Sequence, residues 1–311
     1  MRALVTGATG FVGRRLLDQI AEPVVLSRDP QRARAKCPRA EAHYWEPLAG
    51  RPPADAFAGV EAVFHLAGES VAQGRWNTDK KRLIRDSRVI GTKNLVEAFA
   101  ALEQRPRVLV SASAIGFYGS RGDELLDESS SPGNDFLAGV CRPWEDAATQ
   151  AERLGVRAVC ARLGIVLGDG GALAKMLLPF KLGLGGRLGS GQQWMSWVHV
   201  DDVVGILLHA AEHEALRGPI NTVSPMPVTN REFTRTLAGV LHRPAVFPVP
   251  AVALKLAVGG FAEVLLGSQR VMPRAAQNSN YTFRYESLAE ALAAAIARRQ
   301  TADRPATAKV N

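Results

Sequence analysis

The sequence predicts an α/β protein built on a doubly wound parallel sheet, with a small, mostly helical C-terminal domain. Three observations predict it. A short apolar strand, Ala3-Leu4-Val5, runs straight into glycines spaced G-x-x-G-x-x-G at Gly7, Gly10 and Gly13. Apolar runs of β type then alternate with stretches of helical periodicity, as right-handed crossovers between parallel strands require. After Gly168 this alternation yields to glycine-rich loops and helices. Together they describe a Rossmann-type domain with an appended lobe.

The elements follow in order. Residues 2–6 form the first strand. Gly7 lets the chain turn sharply out of it, and Gly10 lets backbone N–H groups approach a phosphate without a Cβ in the way. Gly13 lets the next helix pack closely on the sheet. Thr9, Phe11 and Val12 complete this turn, and Phe11, Val12, Leu16, Leu17 and Ile20 recur at helical spacing over residues 11–21. The second strand, Val24–Leu26, ends in Ser27-Arg28-Asp29. An acidic residue here hydrogen-bonds a ribose 2′-hydroxyl, whereas an arginine accepts a 2′-phosphate. Arg28, supported by Ser27 and Arg32, therefore predicts NADP(H), and Asp29 before Pro30 is placed to cap a helix.

Further strands are expected around 43–45, 62–66, 108–111 and 156–161, with helices at 79–103 and 135–154. A helix at 200–213 and a strand at 219–223 return to the sheet. Helices at 229–242, 250–266 and 287–298 follow, with Pro244, Pro248 and Pro250 marking a loop. This divides the chain into a cofactor domain (1–170 with 198–224), a substrate-side domain (171–197 and 225–297) and a flexible tail (298–311).

Bulk properties exclude several classes. The 311 residues, 47% hydrophobic and 22% charged, suit a soluble globular chain with a large core. No run approaches the roughly 18 apolar residues of a membrane span. With a strand starting at residue 2, no room is left for a signal peptide, and a cytoplasmic location is expected. Three cysteines without CxxC spacing argue against a disulfide framework and against a metal site. The net charge of +8 is scattered rather than gathered into a basic, aromatic-interleaved run, so no nucleic-acid or membrane partner is expected. A small-molecule substrate is, and the long helices at 79–103 and 135–154 could pair in a homodimer.

Several segments resemble the extended short-chain dehydrogenase/reductases, in order along the chain. His65-Leu66-Ala67-Gly68 resembles their small-residue turn against the cofactor. Gly91-Thr92-Lys93-Asn94 resembles their long helix. Val110-Ser111-Ala112-Ser113 with Tyr118-Gly119 resembles the strand carrying the active-site hydroxyl. Arg162-Leu163-Gly164-Ile165 resembles the loop passing the nicotinamide, and Trp197-Val198-His199-Val200-Asp201-Asp202 resembles the helix start leading back to the sheet. Ser87-Arg88, Trp144-Glu145, Arg274 and the ending Tyr281-Thr-Phe-Arg-Tyr285 look like the atypical "epimerase family protein" (NAD-dependent epimerase/dehydratase-like) branch. That branch has a C-terminal domain of unknown function. The likeness runs from residue 2 to about 297.

One departure limits what the resemblance implies. Members with the usual chemistry carry Y-x-x-x-K, the tyrosine exchanging a proton while the lysine lowers its pKa and holds the ribose. None of Tyr44, Tyr118, Tyr281 or Tyr285 has a lysine four residues on. With Glu145 aligned to the glutamate that follows the lysine, Leu137 stands in the tyrosine place and Cys141 in the lysine place; in a shifted register the pair is Cys141 and Glu145, and Arg88 falls near the usual asparagine of the long helix. Three readings stay open. The first is an NADP(H)-dependent reductase in which Ser113 polarises a carbonyl and Tyr118 or His199 exchanges the proton, with Ser111 as the register alternative. The second is an NADP(H) sensor without turnover, and the third a nucleotide-sugar epimerase or dehydratase. Gln192, Trp194 and Trp197 after the glycine-rich stretch are candidate substrate contacts, and interdomain packing explains them equally well.

Overall fold

The computed structural model describes residues 1–302. At its centre lie seven strands: β1 (Arg2–Thr6), β2 (Glu22–Ser27), β3 (Glu41–Tyr44), β4 (Ala62–His65), β5 (Val108–Ala114), β6 (Arg157–Leu163) and β7 (Gly218–Thr222). They form one sheet in the spatial order β7-β6-β5-β4-β1-β2-β3, every pair parallel. The order reverses at β1, which pairs with β2 on one side and β4 on the other. Loops leaving the C-terminal ends of β1 and β4 diverge there and open a crevice, where such sheets bind ligands.

Eleven helices are described: α1 (Phe11–Leu17), α2 (Pro30–Lys36), α3 (Thr78–Phe99), α4 (Phe136–Thr149), α5 (Gly171–Lys181), α6 (Val200–Glu212), α7 (Asn230–Leu241), α8 (Ala251–Val258), α9 (Phe261–Leu266), α10 (Arg274–Asn278) and α11 (Leu288–Ala302). Both faces of the sheet are covered, so its strands are apolar at successive positions rather than alternately. Ala3, Val5, Phe64 and Val110 pack against Leu16 of α1 and Val203, Ile206 and Leu207 of α6. Leu4, Val63 and Leu109 face the other way, onto Leu95 and Phe99 of α3 and Ala148 of α4. A separate core joins Leu173, Leu177 and Phe180 of α5 with Phe233 and Leu237 of α7 and Leu292 and Ile296 of α11. Thr229 and Glu232 close a reciprocal capping box that starts α7.

Three expectations differ from this. Residues 171–181, read as loop, form α5, whose glycine start and internal Pro179 hid its helical spacing. The helix expected over 250–266 is two, divided at Gly259, whose φ of +61° ends α8. Arg298 and Arg299, assigned to the tail, lie within α11, and Arg298 forms an ion pair with Asp201. Residues 303–311 of that tail lie outside the described residues.

Candidate active site

The glycine turn has the shape its spacing demands. Gly7 adopts φ +68°, and a Cβ there would stand 2.7 Å from the carbonyl carbon of Leu66. A Cβ on Gly13 would fall against the Gly7 carbonyl and 2.8 Å from the Ala8 Cα. The turn is closed by the Gly10 N–H donating to the Gly7 oxygen at 2.9 Å, and no side chain caps α1. Thr6 ties the turn to its neighbour strand, since its hydroxyl accepts the Leu66 and Ala67 N–H groups, each at 3.1 Å. Thr9 is half-buried within the turn. Phe11 and Val12 point elsewhere: Val12 packs on the core beneath the sheet, and the Phe11 ring lies under Gly168, Gly170 and Gly171.

A cleft of about 270 Å³ runs from this turn across the switch point. It is lined by Gly7, Ala8, Thr9 and Gly10, by Ser27 and Arg28 at the end of β2, and by Leu66, Ala67 and Gly68 after β4. Trp45 and Pro47, which sequence reasoning missed, form its far wall. They carry no motif, and only the pairing of β2 with β3 brings them there. Arg28 is exposed, while Asp29 accepts the Arg32 N–H at 2.8 Å and caps α2 as expected. The cleft thus presents backbone N–H groups without side chains, then a cation at the second strand, which suits a dinucleotide bearing a 2′-phosphate. A second cavity of about 350 Å³ between Arg107, Glu152 and Arg217 lies at the opposite, N-terminal end of the strands.

His65 at the end of β4 is fully buried. Having accepted two N–H groups, the Thr6 hydroxyl donates to His65 Nδ1 at 2.7 Å, leaving Nε2–H to donate to the Thr92 hydroxyl at 3.0 Å. Burial, and secondarily the Arg88 charge, hold its pKa down at about 4. His199 is also held at about 4, chiefly by burial. Below pH 6.5 the unfolded chain therefore takes up protons that the folded chain refuses until about pH 4. Folding stability is expected to fall across that window, by about 3 kcal/mol for each ring. Urea melts over pH 4–7 check this: His65→Gln should flatten the fall by about half, and an unchanged slope refutes it.

The expected catalytic residues are drawn into a buried polar network. Ser113 Oγ donates to Glu145 at 2.6 Å, and Arg162 grips both oxygens of Glu145 through Nε and Nη2, each at 2.8 Å. Arg162 Nη1 donates to the Tyr118 hydroxyl at 2.9 Å, and that hydroxyl donates to Asn221 at 2.7 Å. Tyr118 is fully buried and its pKa is pushed up to about 12 by burial, which outweighs the Arg162 charge. Its single proton is committed, so the structure makes Tyr118 a buried strut rather than a proton exchanger. Arg162, expected to contact the cofactor, faces inward onto Glu145 and lies 3.5 Å from the Phe117 ring centre. Ser111 is likewise buried, its hydroxyl turned to the Ala112 carbonyl at 3.2 Å.

The loop after β6 binds backbone. Gly164 N–H donates to Thr222 and Ile165 N–H to Ser196, and a Cβ on Gly164 would stand 2.6 Å from the Ser196 oxygen. That glycine serves a close approach to the Ser196 backbone. Leu163 and Ile165 are half-buried, in contact with separate cores. His199 caps α6: its Nδ1 accepts the Asp201 N–H at 3.2 Å, and its ring lies 4.1 Å from that of Tyr285. Asp202 accepts the Arg284 and Tyr285 N–H groups. The His199–Asp202 motif therefore fastens residues 281–285 to α6, while His199 Nε2 stays buried without a hydrogen-bond partner among the described residues. Trp197 is fully buried with its indole N–H on the Met226 carbonyl, so it is core rather than substrate contact. Trp194 is half-buried between Asp123 and the Arg270 guanidinium, and Gln192 is exposed.

Comparison with known proteins agrees with this architecture. The sequence model of the NAD dependent epimerase/dehydratase family matches residues 3–221. The chain belongs to that family. A domain of unknown function, DUF1731, matches residues 249–295. An Arabidopsis thaliana relative, "Epimerase family protein SDR39U1 homolog, chloroplastic", is 40% identical, the alignment spanning 94% of this chain and 86% of the relative. The Bacillus subtilis epimerase family protein YfhF is 34% identical over 97% of this chain and all of its own. Among solved structures, human epimerase family protein SDR39U1 (isoform 2) with NADPH superposes with a TM-score of 0.85 at 34% identity, over 95% of this chain and 99% of that one. The UDP-glucuronic acid 4-epimerase of Bacillus cereus superposes at 0.78 with 16% identity, a likeness of fold alone. No helix among the described residues is long and apolar enough to cross a membrane.

Proposed function

We propose that this chain binds NADP(H) across the ends of β1, β2 and β4 and exchanges hydride with a carbonyl or hydroxyl substrate. One observation carries the binding: the bare backbone of Gly7 and Gly10 and the guanidinium of Arg28 line one continuous cleft. The human relative crystallised with NADPH supports the same reading. When bound, the cofactor supplies or takes up the hydride. The chain's own part is to hold the pyrophosphate at the glycine turn, the 2′-phosphate at Arg28 and the substrate over the end of β5. Removing Arg28 is expected to weaken NADPH by about tenfold or more, the worth of a charge-assisted contact, and NADH little. Fluorescence titration of Arg28→Ala with both nucleotides tests it, and equal losses overturn the assignment.

A second reading, binding without turnover, is favoured by a separate observation. Ser113 and Tyr118 already have hydrogen-bond partners inside the protein, His199 is engaged at Nδ1 though not at Nε2, and all three are buried. Cys141, which falls in the place of the usual tyrosine or lysine according to register, has its pKa pushed up to about 12 by burial and then by Glu145, which leaves it a neutral thiol. Incubating the protein with NADPH and a panel of carbonyl compounds separates the two readings. Stoichiometric binding with no NADPH oxidation supports a sensor. Oxidation that survives Ser113→Ala shows that Ser113 is not what polarises the carbonyl.

A further inference from the structure

The cleft of the glycine turn extends past Leu66 and Ala67 to Gly68 after β4, the side on which the nicotinamide half of such a cofactor would lie. With the 2′-phosphate at β2 and the pyrophosphate at the glycine turn, it crosses β1 and falls over the ends of β4 and β5. There the exposed Gly68 lies directly on Arg88 of α3: a Cβ on Gly68 would be 3.2 Å from the Arg88 Cζ and 3.4 Å from both terminal nitrogens. Arg88 Nη1 is held by the Glu69 carbonyl at 2.9 Å and the Ile84 carbonyl at 3.0 Å. Its Nε and Nη2 make no hydrogen bond among the described residues, and neither is a buried unpartnered atom. On its other side the guanidinium stands 5.1 Å from the Trp144 ring centre, and the Trp144 indole N–H is buried without a partner. Trp144 lies one turn beyond Cys141 on α4.

We propose that Arg88 is the cation of the nicotinamide half, its Nε and Nη2 N–H groups donating to the hydroxyls of the nicotinamide-side ribose. This rests on the NADP(H) reading above. The planar fork of a guanidinium offers parallel N–H groups at a spacing that suits a vicinal diol, and two carbonyls fix its orientation beforehand. An arginine keeps its proton at any working pH. Arg88 therefore anchors and orients without passing a proton on, which makes it a positioning residue.

The test compares Arg88→Met and Arg88→Lys with the unaltered protein, using two probes whose dissociation constants are read by fluorescence and calorimetry. One probe is NADPH. The other is 2′,5′-ADP, which carries the Arg28 end and lacks the nicotinamide riboside. Arg88→Met is expected to weaken NADPH by about tenfold to a hundredfold and to leave 2′,5′-ADP within about twofold. Arg88→Lys, which keeps the charge and loses the fork, is expected to fall between. NADPH affinity unchanged in Arg88→Met, or equal losses for both probes, overturns the proposal. Should Arg88→Met fail to fold, the same comparison on Arg88→Lys decides. If the unaltered protein binds neither probe, the NADP(H) reading itself fails, an outcome distinct from loss of NADPH alone.

Discussion

Replacing Glu145 with alanine is expected to lower the unfolding free energy by about 3–5 kcal/mol, the loss measured when one partner of a buried ion pair is removed. The side chains of Arg162 and Glu145 are only 4% and 11% exposed, so neither can fall back on water. Without Glu145, Arg162 Nε and Nη2 lose their acceptors, and the Ser113 hydroxyl loses its own. The carboxylate also holds the arginine's pKa above its ordinary value against the opposing pull of burial. Urea denaturation of Glu145→Ala gives the cost directly. Glu145→Leu combined with Arg162→Met should recover much of it, because a volume-matched apolar pair needs no desolvation of charge. A loss under about 1 kcal/mol in the single variant would mean that water enters the site.

Gly13→Ala is expected to have the largest effect on cofactor binding. Its new Cβ would land on the Gly7 carbonyl and 2.8 Å from the Ala8 Cα, all backbone atoms that no side-chain rotation can clear. Either α1 moves off β1 or the turn opens, at about 1–3 kcal/mol for the overlap. Both outcomes displace the turn and the start of α1 that would meet the pyrophosphate, so NADPH affinity should drop by about a hundredfold. Calorimetric titration alongside a thermal melt separates binding from folding. An affinity within twofold of the unaltered protein would show that the turn is not the phosphate site.

These two positions show how unevenly the molecule can be read before folding. Gly13 announces itself, because its neighbours Gly7 and Gly10 stand at a fixed spacing between a strand and a helix. Arg28 and Asp29 are legible for the same reason: their roles depend on residues one to three places away. Glu145 carries no such signal. Its partners Ser113 and Arg162 come from β5 and β6, and Tyr118 and Asn221 are separated by 103 residues. The motif around Trp197 and His199 resembles a helix start and is one, with His199 capping α6, but its hold on residues 281–285 spans 82 to 83 positions and has no local signal.

By itself, the sequence determined the parallel sheet, the glycine turn and the cation at the second strand. Strand and helix periodicity, turn chemistry and capping are local interactions, written within a few residues of one another. Only the tertiary structure decided which polar side chains remain available. It turned Tyr118, Arg162, His199 and Trp197 inward and left the Arg88 guanidinium beside Gly68. The physical reason is that a polar group's role is settled by its partner and its burial, and both are set by elements far apart along the chain.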